Sequence, residues 1–146
     1  MATAVNRVTV LRFVAGLALG WATFWAILNG GFSLLRAVWL DYALADPDKA
    51  FTLTMLFVRL VIFTAMIAAT ASVATLVIGD KRVAWIAGGL ILALSLPPHL
   101  YPGYVWDDYP TWYHIVYLLS ILPIAVFAGR LVRRLFPGAF LAESAA

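Results

Sequence analysis

Four long apolar runs alternate with short polar segments along the chain. The runs lie at about residues 9–31, 53–79, 83–100 and 110–134. A helix that crosses the hydrocarbon core of a bilayer needs about 20 apolar residues at roughly 1.5 Å per residue. The pattern therefore predicts an all-α, integral membrane four-helix bundle that forms a single transmembrane domain over residues 1–146.

The composition indicates that lipid is the medium in which the chain folds. The chain is 64% hydrophobic and 12% charged, with a mean hydropathy of +0.96. Soluble domains are about 45–50% apolar and about 25% charged, so a soluble fold of this length could not bury so much apolar surface. The chain has no cysteine, which excludes disulfides, thiolate metal sites and dithiol redox chemistry.

The basic residues lie mostly on one side of the four predicted spans. That side carries Arg7, Arg12, Lys81, Arg82, Arg130, Arg133 and Arg134, whereas the other carries only Arg36 and Lys49. Because lysine and arginine in short loops stay in the cytoplasm, both termini are predicted to be cytoplasmic. The net charge of +3 then reflects an insertion signal that faces anionic lipid, so we expect no nucleic-acid partner.

Prolines predict where the third and fourth spans meet the outer surface. Pro97 and Pro98 should break or end the third helix, because proline removes a donor and restricts the residue before it. Pro110 suits the first turn of the fourth helix. Pro123 lies inside that helix, where a kink is expected.

The first outer loop has a helical pattern of its own. Ser33 can cap a helix, and the apolar residues between Leu34 and Tyr42 recur at helical spacing. This predicts a short amphipathic helix on the outer leaflet. The alternative is that the first span simply continues beyond the membrane. Gly30 and Gly31 form the expected hinge in either case.

Small residues predict how the spans pack, since close backbone approach rather than the hydrophobic effect joins helices in lipid. Candidate positions are Gly16 and Gly20 in the first span, Ala65 and Ala69 in the second, and Gly88 in the third. We expect these faces to meet within one monomer. The alternative is a homodimer through the face of Gly16 and Gly20.

Arg59 is a charge within an apolar run, and it has three interpretations. The 20 uncharged residues from Leu60 to Gly79 can fill the hydrocarbon alone, so Arg59 can snorkel to headgroups at the outer boundary, below an interfacial turn over residues 51–58. Alternatively, Arg59 pairs with Asp41, Asp107 or Asp108 and fastens the outer loops over the bundle. The third interpretation is anion binding or transport.

The two histidines flank the second outer loop. His99 ends the third span and His114 begins the fourth, so both are predicted to lie at similar depth, where they could ligate a metal or haem iron with help from Asp107 and Asp108. Their spacing matches no metal motif. In the structural interpretation they belong to an aromatic belt at headgroup depth, and we assign no metal or cofactor. The belt comprises Tyr101, Tyr104, Trp106, Tyr109, Trp112 and Tyr113.

The sequence carries no enzyme signature, because it lacks a nucleophile constellation, a phosphate-binding glycine loop and an HExxH motif. We therefore expect a scaffold or accessory subunit of a membrane complex, in contact with the lipid bilayer and with other subunits or a second copy. The alternative is a binder or carrier of a small ligand, ion, lipid or proton, with a metal or haem protein as its narrower form. Its candidate ligand-binding residues are Arg59, His99, Asp107, Asp108 and His114.

The second half of the chain carries a resemblance. The segments "GDKRVAWIAGGLILALSL" and "PTWYHIVYLLSILPIAVFAGRLVRR" resemble those of uncharacterised small four-span bacterial inner-membrane proteins. These proteins share a tryptophan-tyrosine-histidine opening and a glycine-arginine close of the last helix. The resemblance covers residues 79–134. It implies a four-helix bundle in the bacterial cytoplasmic membrane, and it implies no activity.

Overall fold

The computed structural model describes residues 7–80, 82–103 and 105–139, and within these ranges the chain is helical and has no strand. Lys81 and Tyr104, named above, lie outside the described residues. Four helices are long and apolar enough to cross a membrane, so the prediction of an all-α membrane bundle is confirmed. The elements are α1 (Arg7–Val38), α2 (Leu40–Ala45), α3 (Leu53–Ile78), α4 (Val83–Leu100), α5 (Thr111–Leu135) and a 3₁₀ turn (Pro137–Ala139).

Helix α3 is the centre of the bundle. It packs along α1, α4 and α5, and α4 also packs against α5, whereas α1 and α4 have little contact. The main core lies where α3 meets α4 and α5. Its buried side chains include Met66, Ile67, Ala71, Ile91, Tyr117, Ile121 and Ala125.

The two ends of the bundle differ in chemistry. One end, here the basic end, carries the start of α1, the α3–α4 turn and the last turns of α5 with Arg133 and Arg134. The other, here the aromatic end, carries residues 39–52 and the α4–α5 loop at 101–110. The structure thus separates the charges as the sequence pattern predicts.

The first outer loop follows the second of the two interpretations. Helix α1 continues without a break through Gly30 and Gly31, so the predicted hinge is wrong and Ser33 lies inside the helix instead of capping one. A Cβ at Gly31 would lie 2.9 Å from Cγ2 of Ile62. Gly31 therefore permits close packing of α1 on α3, a tertiary reason that the sequence does not show.

A short helix does follow, but it begins later than predicted. Trp39 is extended, with φ −129° and ψ 96°, and turns the chain into the six-residue helix α2. Leu40 and Leu44 of α2 are exposed at 71% and 68%, whereas Tyr42 is fully buried. Helix α2 therefore presents apolar side chains outward and anchors one aromatic ring in the bundle.

The predicted glycine positions pack within the monomer. A Cβ at Gly20 would lie 3.2 Å from the Thr70 carbonyl oxygen, and Gly16 faces Ile78, so both glycines are covered by α3. A Cβ at Gly88 would lie 2.8 Å from Cβ of Ala125 in α5. Because α3 covers the face of Gly16 and Gly20, a homodimer through that face would have to displace it.

The two predicted alanines of α3 are not on its packing face. Ala65 is exposed and Ala69 is half-buried, whereas Met66, Thr70 and Ala74 are buried. Helix α3 is apolar on all sides, so its pattern does not identify one face as the interior. The packing face lies one residue further along the chain than the prediction placed it.

The end of α4 and the start of α5 match the proline signals. Helix α4 includes Pro97 and Pro98 in its last turn and ends two residues later, and Pro110 precedes α5. Helix α5 continues through Pro123. Helix α3 already begins at Leu53, after the cap Thr52, so the interfacial turn predicted over residues 51–58 is wrong for most of its length.

We expect the Gly129→Val variant to destabilise the bundle by about 1–3 kcal/mol through overpacking. A Cβ at Gly129 would lie 2.5 Å from Cβ of Ala84, between α5 and α4. The matched control is Gly89→Val, because a Cβ there meets nothing within 4 Å. Thermal unfolding in detergent micelles measures both, and equal melting temperatures for the two variants would contradict this packing.

Candidate functional site

Arg59 is buried at the aromatic end, and it does not snorkel to headgroups as the first interpretation held. Only 9% of the residue is exposed. The carbon of its guanidinium group lies 4.4 Å from the ring centre of Phe32, 4.6 Å from that of Phe51 and 5.1 Å from that of Tyr109. Aromatic faces attract a cation most strongly when water is excluded. We call Phe32, Tyr42, Phe51 and Tyr109 the aromatic cage.

Two hydrogen bonds and one carboxylate also face the guanidinium group, whereas its buried Nε has no hydrogen-bond partner. Nη1 of Arg59 donates to the Tyr42 hydroxyl, and Nη2 donates to the Tyr109 hydroxyl at 2.7 Å. Oδ1 of Asp46 lies 3.5 Å from Nη1. Arg59 therefore does fasten the outer loops, as the second interpretation predicted. Its carboxylate partner is Asp46, however, and not Asp41, Asp107 or Asp108.

Asp46 balances more than one cation. Its Oδ2 accepts a hydrogen bond from Nη1 of Arg36 at 2.9 Å, and its Oδ1 lies 3.9 Å from Nζ of Lys49. Lys49 also donates to the Asp46 carbonyl at 2.9 Å. The Asp46 side chain is only 17% exposed, so its charge is weakly screened. The segment after α2 is thereby tied to both α1 and α3.

The cage rings also stack on one another. The ring centres of Tyr42 and Phe51 are 5.5 Å apart, and those of Phe51 and Tyr109 are 5.7 Å apart with planes at 4°. Burial raises the pKa of the Tyr42 and Tyr109 hydroxyls above the ordinary 10.0, although the charge of Arg59 acts in the opposite direction. Both hydroxyls therefore stay neutral at physiological pH and accept from Arg59.

The two histidines form a pair beside the cage. Their ring centres are 5.3 Å apart. Nδ1 of His99 donates to the Ser95 carbonyl at 2.9 Å. Nε2 of His114 lies 3.1 Å and 3.2 Å from the carbonyl oxygens of Trp106 and Tyr109. Because a carbonyl can only accept, these contacts identify Nδ1 of His99 and Nε2 of His114 as nitrogens that carry a proton.

The predicted ligand residues do not form one site. Within the described ranges, no group of three or more histidine, cysteine, aspartate or glutamate side chains could hold a metal ion. Asp107 is exposed and accepts from the backbone N–H of Gly103 at 3.0 Å, so it shapes the loop. Asp108 is half-buried in the same turn. Neither carboxylate makes an ion pair with Arg59.

Tyr109 connects the two groups that the sequence left separate. Its hydroxyl accepts from Arg59, and its carbonyl accepts from His114. The imidazole of His114 is also stacked on Trp106, with ring centres 4.7 Å apart. The α4–α5 loop is therefore held at one point by α3 and at another by α5.

A cavity opens between α1 and α4, where these helices do not pack. It has a volume of about 580 Å³, and we call it the lateral cleft. Its polar lining residues are Asn29, Arg36, Arg59, Ser95 and His99, and its apolar lining includes Trp21, Phe24, Trp25, Leu28, Leu94 and Tyr117. These polar residues all lie in the half of the bundle toward the aromatic end.

The lateral cleft continues toward the middle of the bundle. An adjoining cavity of about 330 Å³ shares Trp21, Ile91 and Leu94 with it and is floored by α3. Its other lining residues are Leu17, Ala18, Gly20, Thr70, Ala74, Ala87 and Leu90. The groove therefore passes from a polar opening into an apolar interior.

Several residues of these sites were missed by sequence reasoning. Asp46 was one of five acidic residues in the predicted outer segments, and nothing in its context distinguished it. A usable signal was present in α1, where Trp21, Phe24, Trp25 and Phe32 recur at helical spacing. Such a row of aromatic residues in a span indicates a specific face.

Comparison with protein families, with curated proteins and with solved structures gives no match for this chain.

We expect the folded protein to lose stability as the pH rises above 10. In the unfolded chain Tyr42 and Tyr109 ionise near their ordinary value of 10.0, but in the folded chain their pKa is raised by burial. The contribution of these two hydroxyls to the free energy of unfolding is therefore complete below pH 10, and it is lost as the pH rises through their folded-state pKa. Unfolding curves in detergent across alkaline pH measure it.

The Tyr42→Phe/Tyr109→Phe double variant tests the cause. The double variant should lose less stability as the pH rises above 10. At neutral pH its free energy of unfolding should be lower by about 1–3 kcal/mol, because Arg59 then has buried donors without acceptors. Tyr101→Phe is the control, since Tyr101 is 64% exposed. An unchanged alkaline profile in the double variant would show that other groups govern it.

Proposed function

We propose that this is a non-enzymatic membrane protein that binds a lipid-like amphiphile in the lateral cleft. The observation that carries the proposal is the change of polarity along the groove. Its opening is lined by Asn29, Arg36, Arg59 and His99, and its deeper part only by apolar residues and Thr70. A molecule with a polar head and an apolar tail matches that order, whereas the smooth apolar surface of a spanning helix does not.

The contacts of the polar residues indicate which head group fits. Arg36 and Arg59 share the single carboxylate of Asp46, so the opening keeps a net positive charge. Nδ1 of His99 is used by Ser95, which leaves Nε2 of the neutral ring as an acceptor. The opening therefore suits a compact head that is anionic or accepts hydrogen bonds and also carries a donor group.

In this proposal the aromatic cage supports the site and does not bind the ligand itself. The donors of Arg59 are directed at Tyr42 and Tyr109, and these contacts hold residues 39–52 and the α4–α5 loop to α3 at the aromatic end. The function as an accessory subunit or scaffold, expected from the sequence, stays a prediction. The polar opening favours a small amphiphile over a partner helix.

We further propose that the chain resides in a bacterial cytoplasmic membrane with its basic end in the cytoplasm. The support is the excess of arginine and lysine at that end, which is the pattern that sets orientation during insertion. The lateral cleft would then open toward the outer leaflet.

Leu94→Trp should block the lateral cleft, because Leu94 lines both of its cavities and is 58% exposed. Overpacking costs about 1–3 kcal/mol, so we expect about tenfold less co-purified amphiphile. Native mass spectrometry of the protein released from mild detergent measures the bound mass.

The matched control is Val61→Trp, since Val61 lies on the exposed face of α3 at 67% exposure. It should retain the bound mass of the wild type. Equal occupancy in Leu94→Trp and the wild type, or no bound amphiphile in either, would contradict the proposed function.

The absence of cysteine makes the orientation easy to test. Asp107→Cys, at the aromatic end, should react with a membrane-impermeant maleimide in intact cells. Arg82→Cys, at the basic end, should react only after the membrane is permeabilised. The reverse pattern, or labelling of both residues from outside, would overturn the proposed orientation.

A further inference from the structure

A second groove, separate from the lateral cleft, runs along the seam between α4 and α5 from the basic end. Its head is a cavity of about 370 Å³ whose lining contains four arginines and a tryptophan, with no carboxylate among the described lining residues. The lining consists of Arg82, Trp85, Val126, Gly129, Arg130, Arg133 and Arg134. The lateral cleft shares none of these residues.

This arginine-lined head opens into an apolar groove. An adjoining cavity of about 860 Å³ shares Trp85, Val126 and Arg130 with it. The groove continues along the seam past Leu122 and Leu119 toward the middle of the membrane. Leu119 and Phe127 are exposed at 72% and 68%, whereas Leu92, Leu96, Leu118 and Leu122 are half-buried in the groove.

The groove exists because the backbones of α4 and α5 approach closely at the seam. Gly129 abuts Ala84, and Gly88 abuts Ala125. Flanking side chains must then spread to either side of the contact. Arg133 is held by the Gly79 carbonyl at 2.6 Å, which ties the end of α3 to this head, whereas Arg130 and Arg134 are exposed.

We propose that the α4–α5 groove binds an anionic phospholipid from the leaflet at the basic end, with its phosphate at the arginines and an acyl chain along the apolar part. Guanidinium groups bind phosphate oxygens with paired, charge-assisted hydrogen bonds. Basic pockets between spanning helices are a known form of anionic headgroup site. The continuity of charged head and apolar groove selects a lipid over a free anion. The proposal does not rest on the lateral cleft.

The experiment compares three ligands on the purified protein in detergent micelles. Phosphatidylglycerol and phosphatidylcholine with identical acyl chains, and inorganic phosphate, are each titrated while the melting temperature is recorded. We expect phosphatidylglycerol to raise the melting temperature in a saturable manner and the other two to leave it nearly unchanged.

Two pairs of variants locate the effect. Arg130→Gln should weaken the apparent affinity for phosphatidylglycerol about tenfold, whereas Arg12→Gln removes an exposed arginine of α1 at the same end and should leave it unchanged. Leu119→Trp obstructs the apolar part and should also weaken binding, in contrast to Val61→Trp on α3. The unliganded melting temperature of each variant shows whether it folds.

Three results would overturn the proposal. Equal stabilisation by phosphatidylcholine would show that charge does not matter. An equal loss of affinity for phosphatidylglycerol in Arg130→Gln and Arg12→Gln would show that net charge, and not this groove, governs binding. Stabilisation by inorganic phosphate to the same extent, together with normal binding in Leu119→Trp, would show a free-anion site. Leu94→Trp should bind phosphatidylglycerol normally, so failure of the lateral cleft leaves this test intact.

Discussion

The buried guanidinium group of Arg59 is the constraint on which the aromatic end depends. A charge taken out of water needs compensation on every side, and here it comes from the aromatic cage, two hydroxyls and one carboxylate. These groups belong to α1, α2, the segment before α3 and the α4–α5 loop. The solvation of one side chain therefore determines where four separate parts of the chain must lie.

This requirement also explains the shape of the rest of the molecule. Helix α1 is held to α3 by close glycine contacts along its length and by Phe32, which lies against Arg59 at the aromatic end. Arg36 is linked to α3 only through Asp46, the carboxylate that it shares with Arg59. It needs no contact with α4 to stay in place. The space between α1 and α4 can therefore remain open as the lateral cleft, with Asn29, Arg36, Arg59 and His99 among its lining residues.

The histidines illustrate how a pair of side chains that suggests a metal site can bind backbone carbonyls instead. Each imidazole has one nitrogen committed to a backbone carbonyl. Pro110 has no N–H to offer the carbonyl of Trp106 four residues before it, and His114 donates to that carbonyl instead. His114 in particular holds the α4–α5 loop in the position that lets Tyr109 reach Arg59.

The sequence by itself determined the class of fold, the number of spans and most of their ends. Hydropathy and the effect of proline on a helix are local properties of the sequence. A run of about 20 apolar residues is therefore enough to predict a spanning helix. The separation of charges between the two ends is equally a property of the loops. One of the predicted alternatives was that Arg59 fastens the outer loops, because a charge in an apolar run needs a partner.

The tertiary structure alone decided the partners and the faces. Asp46 rather than Asp41, Asp107 or Asp108 reaches Arg59, because the rotation of α2 and the turn after it aim that one carboxylate inward. Tyr109 lies 50 residues away along the chain. Helix α3 is apolar all round, so only its neighbours fix which side is buried. The lateral cleft arises from a gap between α1 and α4, and the α4–α5 groove from a close contact between two helices. Neither feature leaves a mark in a hydropathy pattern.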